Sequence, residues 1–195
     1  MKDFILASQS PRRKLLLEWA ELNFEVIVKS TDESFPENLP IEEIPIHIAR
    51  QKAIAVKELI QTAYHKQYIL QPILAADTIV VLNGKIIGKP VDRENAIEIL
   101  SSLSAQTHHV ITGVVILQES TEIAFSDITE VEFHPITLEQ IEYYVDQYKP
   151  YDKAGAYAIQ EWIGVVGIKS VKGDFYNVMG LPISRVIQAF KKILV

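Results

Sequence analysis

The spacing of apolar positions changes several times along the chain, and each change marks an element. Phe4-Ile5-Leu6-Ala7 is a short unbroken apolar run, the pattern of a buried strand. A helix is expected from Arg12 to about Glu21, with Ser10 as N-cap and Pro11 at its first position. Leu15, Leu16, Trp19 and Ala20 recur there at helical spacing and predict its core face. Phe24 to Lys29 reads as a second strand, and the proline- and acid-rich stretch from Thr31 to Pro45 reads as a loop. Ile46 to about Tyr64 predicts the longest helix, with Ile46, Ala49, Ala53, Val56, Ile60 and Ala63 along one side.

Beyond it, Ile69–Ala76 and Ile79–Leu82 read as strand, and Asn83-Gly84 turns the chain into a return strand at Lys85-Ile86-Ile87. Asp92 is placed to cap a helix through Leu103. Val110–Leu117 and Ile123–Phe133 are β-rich. Thr137 and Gln140 form a capping box ahead of a helix carrying Ile141, Tyr144, Val145 and Tyr148. Strands are expected near Ala156–Ile159 and Gly164–Ile168, and Pro182 opens a closing helix with an apolar face that runs to Leu194. The alternation of strand and helix predicts a mixed α/β fold.

The chain has 195 residues, enough for one domain over 1–195 or two closely packed lobes. Its 48% hydrophobic and 23% charged content is that of a globular protein. No apolar run reaches the ~18–20 residues that span a bilayer, so no membrane partner is expected. Met1-Lys2-Asp3-Phe4 runs directly into the first strand, unlike a secretory leader. With no cysteine, thiolate metal sites and a cysteine nucleophile are excluded. A reducing cytoplasm is compatible with that. A net charge of −6 argues against a general nucleic-acid binder but not against a small anionic substrate. The histidines at 47, 65, 108, 109 and 134 lack zinc-site spacing.

Five segments could carry chemistry. In Ser8-Gln9-Ser10-Pro11-Arg12-Arg13 a strand enters a hydroxyl-rich turn that opens a helix, and two arginines sit at the end where the dipole disfavours cations. An anion site at free N–H groups explains the misfit; a surface helix start with solvated arginines is the plainer alternative. Asp77 lies in the apolar β segment Ala75–Val81, either as a functional carboxylate or in a bend bonding nearby N–H groups. Gly88-Lys89-Pro90 follows the hairpin and is not a P-loop. Pro150–Gln160 ends on an amide able to read a base edge, or simply on a polar strand end. Gly173–Pro182 is a glycine-bounded loop that ordinary capping explains. Glu33 and Lys52, taken singly, are solvated surface residues.

Together these strings resemble the Maf family of nucleoside triphosphate pyrophosphatases. The match runs through Leu6–Arg13, Asp32-Glu33, Ala49–Ala53, Ala76-Asp77-Thr78, Gly88-Lys89-Pro90, His108–Gly113, Asp152–Tyr157 and Asn177–Pro182, in family order from about residue 5 to 190. The resemblance implies an inosine-triphosphate-pyrophosphatase-like α/β fold, a mixed sheet with flanking helices in two lobes around a central cleft. It implies hydrolysis of a nucleoside triphosphate to the monophosphate and pyrophosphate with a divalent cation, Mg2+ or Mn2+. Asp77 becomes the proton acceptor, and Glu33 and Asp77 the metal ligands. Ser8, Ser10, Arg12, Arg13, Lys52 and Lys89 become the phosphate contacts. Asp152-Lys153-Ala154-Gly155 with Gln160 is similar to the subgroup that prefers dTTP and UTP, with Arg12, Thr78 and Gln160 marking that preference. The same chemistry on 7-methyl-GTP or modified pyrimidines, and a non-catalytic role in cell-division control, remain as alternatives. A homodimer is the implied assembly.

Overall fold

The structure, a computed structural model, describes residues 3–62 and 68–193. The expected helix positions Ala63 and Tyr64, His65, and Leu194 at the end of the closing helix lie outside the described residues. The strands are β1 (Phe4–Leu6), β2 (Phe24–Val26), β3 (Ile73–Leu82), β4 (Lys85–Ile87), β5 (Thr107–Gln118), β6 (Thr121–Phe133) and β7 (Ile168–Lys172). The helices are α1 (Pro11–Trp19), α2 (Ile44–Thr62), α3 (Arg93–Leu103), α4 (Leu138–Tyr148), α5 (Trp162–Gly167), α6 (Phe175–Met179) and α7 (Ile183–Ile193). Among the described residues the sheet order is β2-β1-β3-β5-β6-β7, with β4 paired to β3. Parallel β1–β2 and β1–β3 pairs alongside antiparallel β3–β4 and β6–β7 pairs make it the mixed sheet with helices that the sequence predicts. No helix among the described residues is long and apolar enough to cross a membrane.

The chain divides into two compact units. The first comprises residues 1–77, 112–127 and 180–195; the second comprises 78–111 and 128–179. In the first unit β1 is buried on both sides, because successive strand residues point to opposite faces. Ile5 and Ala7 join Ala49, Ala53, Val56 and Ile60 of α2 in one core cluster, which Ile73, Ala75, Val115 and Leu117 complete. Phe4 instead packs on Phe190 of α7, with ring centroids 4.7 Å apart. The second unit joins α3 to α4 and centres on a ring trio of His108, Phe133 and Tyr157, with centroids 5.1–5.4 Å apart.

Local signals place several boundaries as read. Ser10 caps α1 through its hydroxyl, Asp92 caps α3 on Asn95 N–H, and the Thr137–Gln140 capping box opens α4. Asn83 and Gly84, both with positive φ, turn β3 into β4.

Three expectations are corrected. On α1, Trp19 is 59% exposed, and the buried residues are Arg13, Leu16 and Leu17. The stripe includes an arginine, which an apolar count passes over. Residues 69–72 are outside the strand, which starts after Pro72 and runs unbroken through Asp77 and Thr78. The strands expected at Ala156–Ile159 and Gly164–Ile168 are absent: 154–156 is a 3-10 turn, α5 covers Trp162–Gly167, and β7 begins at Ile168. Positive φ at Gly155 and Ala156 breaks any extended run there.

Candidate active site

In the first unit β1 delivers the chain into the Ser8–Pro11 turn. Ser10 Oγ accepts the Arg13 N–H at 3.4 Å, a cap worth about 1 kcal/mol to a short helix. Ser8 is buried, and its Oγ accepts from Ser10 N at 3.2 Å and from Arg13 Nη1 at 3.2 Å. Arg13 Nε donates to the Gly180 carbonyl at 2.8 Å, fastening the turn to the start of the closing segment. Burial pushes the Arg13 guanidinium down from its ordinary value. The charge of Asp77 opposes this, Arg12 adds to it, and Glu33 opposes it again. An arginine retains its proton through such a shift, so Arg13 is a buried cation in the field of both acids.

Those acids meet on one ammonium. Lys52 lies on α2 four residues from Ile48 and from Val56, on the helix side that faces the sheet. Its Nζ stands 2.7 Å from Asp77 Oδ1 on β3 and 2.7 Å from Glu33 Oε1. Glu33 comes from a loop with no regular structure, so its position needs other support. Asp32 Oδ1 accepts the Ser34 N–H at 3.1 Å, a local turn that holds Glu33 between them. Gln51 Nε2 donates to the Ser34 carbonyl at 3.3 Å, tying that loop to the residue beside Lys52. The Asp77 and Lys52 side chains are 14% and 18% exposed and Glu33 is 50% exposed, so the cluster is open on the Glu33 side.

The two carboxylates already converge on a single cationic centre. A magnesium-sized ion takes one or two carboxylates and fills its other positions with water and substrate phosphate. The donor pair Glu33 and Asp77 therefore fits such an ion. No group of three or more metal-binding side chains occurs among the described residues.

The second unit carries Thr78, Lys89 and Gln160. Thr78 follows Asp77 within β3 and is half-buried. Lys89 is exposed, on the loop after β4. That loop is fixed by Gly155 N–H, which donates to the Gly88 carbonyl at 3.1 Å. Gly155 has φ +71°, and a Cβ there would stand 3.0 Å from the Val80 side chain, so the position calls for glycine on both counts. Gln160 is exposed in the turn that precedes α5.

Sequence reasoning passed over Tyr144 and Glu161. Tyr144 is fully buried, and its hydroxyl donates to Glu161 Oε2 and accepts from Ala158 N–H at 3.2 Å. Lys153, also buried, places its Nζ 3.5 Å from Glu161 Oε1 and 2.8 Å from Asp152. The available signal was a tyrosine on the apolar stripe of α4, since a buried tyrosine hydroxyl ordinarily finds a partner.

A family model described as Maf-like protein matches residues 3–193. A dTTP/UTP pyrophosphatase of Cytophaga hutchinsonii is 48% identical over 190 residues, covering 97% of this chain and 84% of its own. Its counterpart in Bacteroides thetaiotaomicron is 45% identical over 190 residues, with 97% and 95% covered. One from Porphyromonas gingivalis is 44% identical over 183 residues, with 92% and 88% covered. Among solved structures, the Staphylococcus aureus Ham1 protein aligns with a TM-score of 0.44 at 14% identity, over 68% of this chain and 72% of that one.

Proposed function

Because this chain belongs to the Maf family, we propose that it is a nucleoside triphosphate pyrophosphatase that hydrolyses dTTP and UTP to the nucleoside monophosphate and pyrophosphate. The observation that carries the reading is the Glu33–Lys52–Asp77 cluster, with Arg13 buried in its field. Such a convergence of acids and cations suits a polyanion and a water to be deprotonated. A partner-binding surface has no need of it.

Attack at the α-phosphorus breaks its bond to the bridging oxygen, and the electron pair leaves with pyrophosphate. Asp77 accepts the proton of the attacking water. Arg12, Lys52 and Lys89 contact the phosphates, where charge shifts toward the leaving group and fixed cations stabilise it. Ser8, Ser10 and Arg13 bond one another in the turn that carries Arg12. Mg2+ or Mn2+, held by Glu33 and Asp77, would supply charge neutralisation and a more acidic water. Thr78 and Gln160 read the pyrimidine edge, where a lost polar contact costs discrimination.

The test is pyrophosphate release from a panel of canonical triphosphates, 7-methyl-GTP and modified pyrimidine triphosphates, with and without Mg2+ or Mn2+. The expected result is metal-dependent release, fastest on dTTP and UTP. Faster turnover of 7-methyl-GTP would overturn the substrate assignment. No release from any triphosphate would overturn the activity.

A further inference from the structure

We propose that Tyr144, Glu161 and Lys153 are positioning residues for base selection, a brace that fixes the turn carrying Gln160. The proposal rests on the reading of Gln160 as a base contact. Residues 158–161 form a tight turn closed by Glu161 N–H donating to the Ala158 carbonyl at 3.1 Å. Its two ends are also joined through a side chain. The Tyr144 hydroxyl accepts from the N–H of Ala158, the first residue, and donates to the carboxylate of Glu161, the last. Lys153, buried and donating to Asp152 at 2.8 Å, also pairs with the same carboxylate at 3.5 Å. From the other side α5 presses against the turn, and a Cβ on Gly164 would fall 1.8 Å from the Ile159 carbonyl oxygen. Within this braced turn Ala158 and Ile159 are buried and Gln160 is exposed.

A loop that only connects two elements needs the backbone hydrogen bond. Burying a tyrosine hydroxyl and an ammonium around it, beside a partly buried carboxylate, is expensive unless position matters. An amide that must distinguish a uracil-type edge, with its ring N–H donor, from a cytosine-type edge needs placement to about half an ångström. Lys153 has a second effect. An unneutralised Glu161 beside Gln160 would accept from the exocyclic amine of cytosine, so Lys153 keeps that competing acceptor occupied.

The experiment measures kcat and KM for dTTP and dCTP in wild type, Tyr144→Phe, Glu161→Gln, Lys153→Met and Gln160→Glu, with folding checked by circular dichroism. Tyr144→Phe is expected to lower the dTTP:dCTP ratio of kcat/KM about tenfold, most of the loss falling on KM for dTTP. Lys153→Met is expected to move the ratio toward dCTP, and Glu161→Gln to fall between wild type and Tyr144→Phe. A folded Tyr144→Phe protein with a lower melting temperature and an unchanged ratio would reduce the trio to a structural role and overturn the proposal. If Tyr144→Phe does not fold, Glu161→Gln decides in the same way. An unmoved ratio in Gln160→Glu would remove the Gln160 reading and the brace with it. A shift in Gln160→Glu without one in Tyr144→Phe or Glu161→Gln would remove the brace alone.

Discussion

The Glu33–Lys52–Asp77 cluster of the first unit and the Gln160 turn of the second are built by opposite means. The cluster draws long side chains from a loop, a helix and a strand and holds them by charge, with Glu33 half-exposed. The turn is held by backbone, by a buried hydroxyl and by an α5 glycine that leaves no space. Charge attraction tolerates side-chain movement, so the cluster can exchange partners when a triphosphate enters. A turn locked at both ends cannot follow its ligand, and that stiffness suits discrimination between similar bases. On the proposed reading, gripping a polyanion and reading a base ask for different materials.

Removing Lys52 is the strongest way to break the first half of that contrast. Lys52→Met leaves Glu33 and Asp77 without the cation they share, and pyrophosphate release is expected to fall by about 10²–10³, as when one electrostatic contact to a developing charge is lost. Circular dichroism should still report the native fold. A Lys52→Met enzyme within twofold of wild type would show that the cluster does no electrostatic work.

The turn should respond in stability. Gly164→Ala forces a methyl group into the Ile159 carbonyl, with a cost of about 1–3 kcal/mol or more. Urea unfolding measures it, and an unchanged midpoint would mean that the turn yields and is not stiff.

The packing of the second unit also sets a pH dependence. His108 is fully buried, its Nε2 lies 2.7 Å from the Tyr157 hydroxyl, and burial, followed by the charge of His109, pushes it down to about 4. The native protein therefore holds it neutral, while the unfolded chain takes up a proton near 6.5. The resulting stability is full above the unfolded value and is lost as pH falls toward about 4, up to about 3 kcal/mol in all. Urea midpoints should fall across that window in wild type and fall less in His108→Phe.

The smallest effect is expected from a neighbour of the cluster. Arg50 pairs with Glu122 at 2.7 Å on the same helix as Lys52, but both side chains are well exposed. Arg50→Gln should cost no more than about 1 kcal/mol, and less in high salt. A larger loss would mean that exposed pairs on α2 matter as much as the cluster does.

How much of this was legible beforehand depended on distance along the chain. Ser10 and Pro11, Asn83 and Gly84, and Thr137 with Gln140 act on partners within a few residues, so the sequence announced those boundaries. Residues 156–159 and 164–168 each read as strand. The chain there is set instead by left-handed residues at Gly155 and Ala156 and by α5 packing on Ile159. Glu33 and Lys52 enter the site only by resemblance, since they have nothing local to distinguish them. Their meeting on one nitrogen joins positions 33, 52 and 77, which no spacing rule encodes. Arg13 was expected at the phosphates; its buried bonds to Ser8 and Gly180 became visible only once residue 180 stood beside residue 13.

The proposed role of Asp77 in deprotonating the attacking water is tested by single-turnover hydrolysis of dTTP by Asp77→Asn. The side chain keeps its size and one oxygen toward Lys52, so the variant should fold as wild type does and bind nucleotide. Its chemical step is expected to be slower by about 10²–10⁴, the range that a lost general base commands. A folded Asp77→Asn protein that releases pyrophosphate at the wild-type rate would contradict it.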